Sequence, residues 1–140
     1  MIDYDKLHKS LKHLELQFAN YQSSHDREGL SDLDREAIAE SVIQRFETCY
    51  DTLWKHLKRY LTEDIGLPDV PNSPKPIFRI ANENQLFAST LEQWLKYADA
   101  RVATSHDYSG DKATDCLELM ADFIDDAIGL YQTITGTTWE

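Results

Sequence analysis

The feature that most constrains the fold is one uninterrupted helical pattern in the first half of the chain. It begins at Ser31 and continues for about thirty residues to Leu61, with apolar residues at helical spacing and no proline or glycine before Gly66. At the standard rise such a helix would span about 45 Å. That length exceeds one face of a small bundle. It therefore predicts either a central helix packed by all the others or a helix partly covered by a second subunit.

Apolar residues recur at helical spacing in four further segments. They run from about Tyr4 to Ser24, from Pro74 to about Asn84, from Leu91 to about Ser105, and from Asp111 past Tyr131. No alternating stretch of useful length indicates a strand. We therefore predict an all-α, antiparallel bundle of about five helices in a single domain over residues 1–140, in which the tail 135–140 could be disordered.

Composition places the chain among ordinary globular proteins, with 41% hydrophobic and 28% charged residues in a length of 140. No apolar run is long enough to span a membrane, and the first residues lack the apolar core of a secretory signal. We therefore expect a cytoplasmic protein without a membrane partner. Cys49 and Cys116 lie inside amphipathic patterns and form no Cys-x-x-Cys pair, so we expect reduced, buried thiols, no metal site and no cofactor.

The formal net charge of −11 argues against a protein that coats nucleic acid, because phosphate neutralisation requires an excess of lysine and arginine. It still allows a local basic cleft. Lys55, Lys58 and Arg59 make the end of the long helix basic. Such residues usually complement the helix dipole, but these three could instead contact RNA phosphates.

An arginine, a histidine and a tyrosine stand close together where the fourth helical pattern stops, at Arg101, His106 and Tyr108. Arginine offers a planar set of donors suited to phosphate, and histidine carries a proton in either direction near neutral pH. Together they suffice for phosphodiester cleavage. The alternative is structural, because arginine and histidine at a helix C-terminus often serve the dipole and the last carbonyls.

Three sequence segments, in the order in which they occur, resemble segments of one protein family. Val42–Lys55 is similar to a helix of the nucleotidyltransferase substrate-binding proteins, and Pro74–Ala81 is similar to their short helix that begins at proline. Asp99–Tyr108 resembles the R-x4-H-x-Y motif of HEPN toxins of the HepT type. The resemblance covers roughly residues 5–134.

This resemblance implies a HEPN-like bundle that forms a homodimer through its motif face. It implies a metal-independent endoribonuclease acting as a toxin on RNA, either tRNA or mRNA, with Arg101 and His106 in the catalytic positions. It further implies a cognate minimal nucleotidyltransferase as antitoxin, which transfers AMP to Tyr108.

One residue departs from the family pattern, since Val102 stands where a polar asparagine commonly follows the motif arginine. The departure keeps two alternatives open. The chain could be a non-catalytic substrate-binding or partner subunit of a nucleotidyltransferase, or it could be a helical dimer without a catalytic role.

Overall fold

The computed structural model describes residues 1–106 and 110–140, and these residues form five α-helices without a strand. The helices are α1 (Asp5–Ser24), α2 (Asp32–Arg59), α3 (Pro74–Glu83), α4 (Leu91–Thr104) and α5 (Gly110–Thr135). The predicted all-α bundle of five helices is thus confirmed. Within the described residues, no helix combines the length and apolarity needed to cross a bilayer.

Two helix starts are fixed by side-chain caps. At α2, the Asp34 amide donates to Ser31 Oγ at 3.0 Å, and the Ser31 amide donates to Asp34 Oδ2 at 3.0 Å. This reciprocal pair is a capping box, and its hydrogen bonds lower the pKa of the Asp34 carboxyl. At α4, Thr90 Oγ1 accepts from the Gln93 amide at 3.2 Å.

The long second helix ends in a π-helical turn over Tyr60–Asp64, where the sequence pattern predicted plain α-helix to Leu61. The Ile65 amide donates to the Tyr60 carbonyl at 3.0 Å, which is the i to i+5 bond of a π turn. The chain leaves the helix at Gly66, whose φ of 82° lies in the left-handed region that favours glycine.

Helix α2 is central within the chain, because α1, α3, α4 and α5 all pack against it. Its buried residues begin at Val42, and the two turns before Val42 bury none. Leu33, which the apolar pattern includes, is 75% exposed. From Val42 onward, α2 is therefore a central helix packed by the other helices, which is one of the two arrangements that its length predicted.

A cluster of aromatic rings holds α4 against the rest of the bundle. Trp94 stacks on Phe87 with ring centroids 4.4 Å apart, and it meets Tyr97 edge-on at 5.3 Å. Phe123 of α5 meets Tyr97 edge-on at 5.1 Å. Since each such pair adds about 0.5–1.5 kcal/mol beyond the buried area, the cluster fixes the position of α4 and of the residues at its C-terminal end.

Candidate functional site

Arg101 lies on the last turn of α4 and is held by two carboxylates of α2. Its Nε donates to Asp51 Oδ1 at 3.2 Å, and its Nη2 donates to Asp51 Oδ2 at 3.1 Å. Its Nη1 donates to Glu47 Oε2 at 3.1 Å. The two bonds to Asp51 form the bidentate geometry that fixes the plane of a guanidinium. We call Glu47 and Asp51 the carboxylate clamp.

The clamp follows from the helical period of α2. Glu47 and Asp51 are four residues apart, so they lie on one face, one turn above the other. The side chain of Glu47 is 12% exposed and that of Asp51 is 40% exposed. The buried hydroxyl of Thr104 also donates to Glu47 Oε2, at 3.0 Å. The clamp therefore orients Arg101, while its two negative charges exceed the single positive charge that they hold.

An open cleft of about 570 Å³ lies beside the clamp, between α2, the start of α3 and the end of α4. We call it the Arg101 cleft. The described residues that line it are Tyr50, Asp51, Trp54, Ser73, Pro74, Lys75, Pro76, Ala98, Arg101, Val102 and Ser105. Lys75 Nζ donates to Asp99 Oδ1 at 2.7 Å, so this second cation is also paired with a carboxylate.

His106 lies just past the end of α4 and is exposed. Its amide donates to the Ala103 carbonyl at 3.4 Å, which continues the last turn of the helix. His106 is not among the described residues that line the Arg101 cleft. Tyr108, the residue predicted to carry AMP, lies outside the described residues.

The three basic residues at the end of α2 have separate local contacts. Lys55 Nζ lies 5.8 Å from the centre of the Trp54 ring, and Lys58 Nζ donates to Asn72 Oδ1 at 3.2 Å. Arg59 Nε donates to a carboxylate of the π turn at 2.9 Å, and this contact raises the pKa of Arg59. None of the three is among the described residues that line the Arg101 cleft. Their predicted contacts with RNA stay a prediction.

Sequence reasoning missed Glu47, Asp51 and Thr104 as partners of Arg101. Glu47 and Asp51 are four residues apart, and both lie in the segment Val42–Lys55 that resembles a helix of the nucleotidyltransferase substrate-binding proteins. This spacing was a usable signal. The long range of the contact, from α2 to α4, hid which cation the two carboxylates would meet.

A second polar cluster lies between the start of α4 and α5. The hydroxyls of Ser89 and Tyr97 both donate to the Asp126 carboxylate, and Gln93 Nε2 donates to the Tyr97 hydroxyl at 3.2 Å. Burial and the Asp126 carboxylate raise the pKa of Tyr97. Over residues 1–106 and 110–140, the structure contains no group of three histidine, cysteine or acidic side chains that could hold a metal ion.

Both cysteines are free and buried, as the sequence predicted. Burial raises the pKa of Cys49 to about 12, with the Ser10 hydroxyl as a smaller opposing influence. Burial also raises the pKa of Cys116 to about 12, and the charge of Glu47 adds to the shift. These thiols are therefore protonated and unreactive at neutral pH.

The fold and the Arg101 cleft define a helical-bundle protein with a polar site at the C-terminal end of its fourth helix. Residues 2–135 match the family described as nucleotidyltransferase substrate binding protein like. The chain belongs to this family, and the HepT-type resemblance predicted from the sequence is confirmed.

One curated relative is a probable ribonuclease HepT from Haemophilus influenzae, 32% identical over 92 residues. The match covers 64% of this chain and 62% of the relative, so it spans less than two thirds of that protein.

Two solved structures share the fold. One, from Haemophilus influenzae, was described as revealing the fold of a substrate binding domain of a nucleotidyltransferase. It has a TM-score of 0.84 at 24% identity and covers 95% of this chain and 99% of that one. A Thermus thermophilus protein has a TM-score of 0.62 at 27% identity, over 88% of this chain and 96% of that one.

Proposed function

We propose that this protein is a metal-independent endoribonuclease toxin whose active site forms where two copies of the chain meet. Arg101 and His106 are its catalytic residues. A cognate minimal nucleotidyltransferase acts as its antitoxin and transfers AMP from ATP to the Tyr108 hydroxyl, which loses its proton as pyrophosphate is released. The observation that carries the proposal is the guanidinium of Arg101, which the carboxylate clamp holds at the edge of an open cleft, at the end of the helix that leads to His106.

Two comparisons support this proposal. The family takes its description from nucleotidyltransferases, which agrees with such an enzyme as partner. A relative with 32% identity carries the name of a ribonuclease, which agrees with RNA as substrate.

The chemistry needs only the substrate and the Arg101 and His106 side chains of two copies of the chain. The ribose 2′-oxygen attacks the adjacent phosphorus as an imidazole takes its proton, and the bond from phosphorus to the 5′-oxygen breaks as a second imidazole protonates that leaving oxygen. The products are a 2′,3′-cyclic phosphate and a 5′-hydroxyl. Arg101 stabilises the extra negative charge on the phosphorane between these steps.

A second copy of the chain supplies what one copy lacks. His106 directly follows Ser105, which lines the Arg101 cleft, so a second copy that meets this face would bring its own imidazole to the same seam. Val102 is 61% exposed on the cleft wall, and Trp54 is half-buried beside it. Apolar groups of this kind favour contact with protein over contact with water. The two-fold seam would then bring two arginines and two histidines together.

The proposed antitoxin acts by adding charge and bulk. An AMP group on the Tyr108 hydroxyl adds a phosphodiester anion and a nucleoside two residues from His106. Like charge then repels the RNA backbone, and the nucleoside fills the seam.

Growth of bacterial cells tests the nuclease. We expect induction of the wild-type chain to stop growth, and His106→Ala to restore it. His25→Ala removes an exposed loop histidine and should remain toxic, so it is the matched control. Equal growth of cells that express the wild type and the His106→Ala variant would contradict the proposal.

Mass spectrometry tests the antitoxin. After co-expression with a cognate minimal nucleotidyltransferase, we expect one added AMP on the peptide that contains Tyr108. The Tyr108→Phe variant should carry no AMP and should stay toxic in the presence of the partner. An unmodified Tyr108 in a neutralised complex would exclude AMP transfer as the mechanism.

A second candidate is a non-catalytic partner subunit of the nucleotidyltransferase. It is favoured by the carboxylate clamp, which offsets the charge of Arg101, and by Val102 in place of the usual asparagine. In this case the purified chain would bind the nucleotidyltransferase tightly and leave RNA intact.

A further inference from the structure

A groove between α1 and α2 gathers cations in a chain with a net charge of −11. Two adjoining openings of about 290 Å³ and 210 Å³ share His13 and Arg45 and together form this basic groove. Its described lining comprises Lys6, Lys9, Ser10, His13, Arg45 and Thr48, with Thr52 at one end and Leu16 and Gln17 at the other. No carboxylate appears among these residues.

The cations of the groove form no salt bridge with any residue in the ranges 1–106 and 110–140. Within the part of the chain that the structure describes, Lys6, Lys9 and Arg45 form no ion pair with a carboxylate. The contact made by Arg45 is with an imidazole, since its Nη1 donates to His13 Nδ1 at 3.3 Å. The side chains of Lys6, Lys9, His13 and Arg45 are all exposed.

The helical period explains why these groups form a line. Lys6, Lys9 and His13 are three and four residues apart, so they follow one stripe of α1, and Gln17 continues it. From Lys6 to Gln17 the stripe spans about 16 Å. Arg45, Thr48 and Thr52 form the facing stripe on α2. An extended polyanion fits this geometry better than a compact ligand does.

The hydroxyls of the groove do not add donors. Thr48 Oγ1 donates to the Gln44 carbonyl at 3.2 Å, and Thr52 Oγ1 donates to the Thr48 carbonyl at 2.8 Å. Ser10 Oγ donates to the Leu7 carbonyl at 3.1 Å. The groove therefore offers charge without a set of directed donors, which suits a phosphate backbone and not the edges of bases. No phenylalanine, tyrosine or tryptophan lines it within the described residues, whereas protein partners are usually anchored by such rings.

We infer that the basic groove binds the backbone of single-stranded RNA and extends the substrate path of the proposed nuclease. At 100° per residue, the groove stripe on α2 lies roughly 100° around the helix from the carboxylate clamp. Lys55 is exposed between the two stripes and provides a cation on the surface that connects them. This inference rests on the proposed function for the identity of the polyanion.

Fluorescence anisotropy with a short, labelled 2′-O-methyl RNA strand tests the inference, because that strand lacks the 2′-hydroxyl and cannot be cleaved. We expect the combined change Lys6→Gln, Lys9→Gln and Arg45→Gln to weaken binding by about tenfold or more. The slope of log affinity against log salt should also fall by about 2, near the value for three lost phosphate contacts.

The control carries the same change in charge elsewhere: Lys12→Gln, Arg27→Gln and Lys96→Gln. Circular dichroism checks that both triple variants keep the wild-type helical content. Binding by the groove variant as tight as that by the control would overturn the inference.

Two further outcomes separate this inference from the proposed function. If wild-type protein binds the strand through the groove but cleaves no RNA, the groove stands and the nuclease fails. If the wild type cleaves RNA and the groove variant binds and cleaves equally well, the nuclease stands and the groove fails. Loss of binding to the nucleotidyltransferase with unchanged RNA binding would assign the groove to an acidic protein surface, and so overturn the inference.

Discussion

The Arg101 cleft and the basic groove lie on neighbouring faces of α2. They differ in whether their cations are paired with carboxylates. In the cleft, Arg101 meets Glu47 and Asp51, and Lys75 meets Asp99. In the groove, the described lining contains lysine and arginine without a carboxylate. The net charge of the whole chain, −11, does not reveal this difference.

The difference separates two tasks that one surface performs poorly. A catalytic arginine must be held in one orientation, and carboxylates do this at the expense of long-range attraction for phosphate. A binding surface needs attraction more than orientation, and unpaired lysines supply it. We interpret the cleft as the place where RNA is cut and the groove as the place where it is held.

The largest expected effects concern Arg101 and His106, the two proposed catalytic residues, which should differ in their contribution to stability. His106→Ala and Arg101→Ala should each slow RNA cleavage by at least about 100-fold. Because His106 is exposed, His106→Ala should lower the free energy of unfolding by less than about 0.5 kcal/mol. Arg101→Ala should cost about 1–3 kcal/mol, because it leaves the nearly buried Glu47 without its cation.

Urea denaturation measures this contrast. A shift of the unfolding midpoint in Arg101→Ala alone is the expected result. An unchanged midpoint for Arg101→Ala would show that the carboxylate clamp contributes nothing to folding, and the comparison between cleft and groove would lose its basis.

A smaller effect is expected from a substitution that makes the charge of the cleft more like that of the groove. Asp51→Asn removes one negative charge beside Arg101, so the cluster of Arg101, Glu47 and position 51 changes from a formal −1 to neutral. Binding of uncleavable RNA should tighten by about threefold at low salt, and the gain should fade as salt rises. Asp122→Asn makes the same charge change on the exposed face of α5 and should bind like the wild type. Equal gains in both variants would show only a general effect of net charge.

Two threonines provide a matched pair of still smaller changes. Thr104 is 1% exposed and donates to the clamp, so Thr104→Val should lower the free energy of unfolding by about 1–2 kcal/mol. Thr48 is exposed in the groove and donates back to its own helix, so Thr48→Val should stay within about 0.5 kcal/mol of the wild type. Thermal unfolding of the two variants decides the point. Equal losses would contradict the stabilising role of the hydrogen bond from Thr104 to Glu47.

The smallest effect uses the two cysteines as reporters of local opening. Cys116 lies near Glu47 of the clamp, and Cys49 lies near Ser10 of the groove. Because burial raises the pKa of each thiol to about 12, labelling by iodoacetamide at neutral pH should be slow and should rise with pH. Arg101→Ala should accelerate the labelling of Cys116 more than that of Cys49. Equal acceleration would indicate global unfolding.

Much of the fold was predictable because local rules determine it. The sequence predicted helix starts at Ser31, Pro74 and Leu91. In the structure α2 begins directly after the Ser31 cap, α3 begins at Pro74 and α4 begins at Leu91. The exposure of Leu33 was not predictable, because the apolar period of α2 continues past the end of the surface that its neighbours cover.

The candidate site was only partly predictable. The motif located Arg101 and His106, but pairing between residues 47, 51 and 101 depends on how α2 and α4 pack. The basic groove has the same origin: Lys6 and Arg45 are far apart in sequence, and only the contact between α1 and α2 brings them together.

The most direct test is the initial rate at which the purified protein cleaves labelled RNA in excess EDTA, with His106→Ala prepared in parallel. The account predicts clear cleavage by the wild type, 2′,3′-cyclic phosphate ends, and a rate lower by about 100-fold or more in the variant. Equal rates for the two proteins, or cleavage that appears only when a divalent metal is supplied, would contradict it.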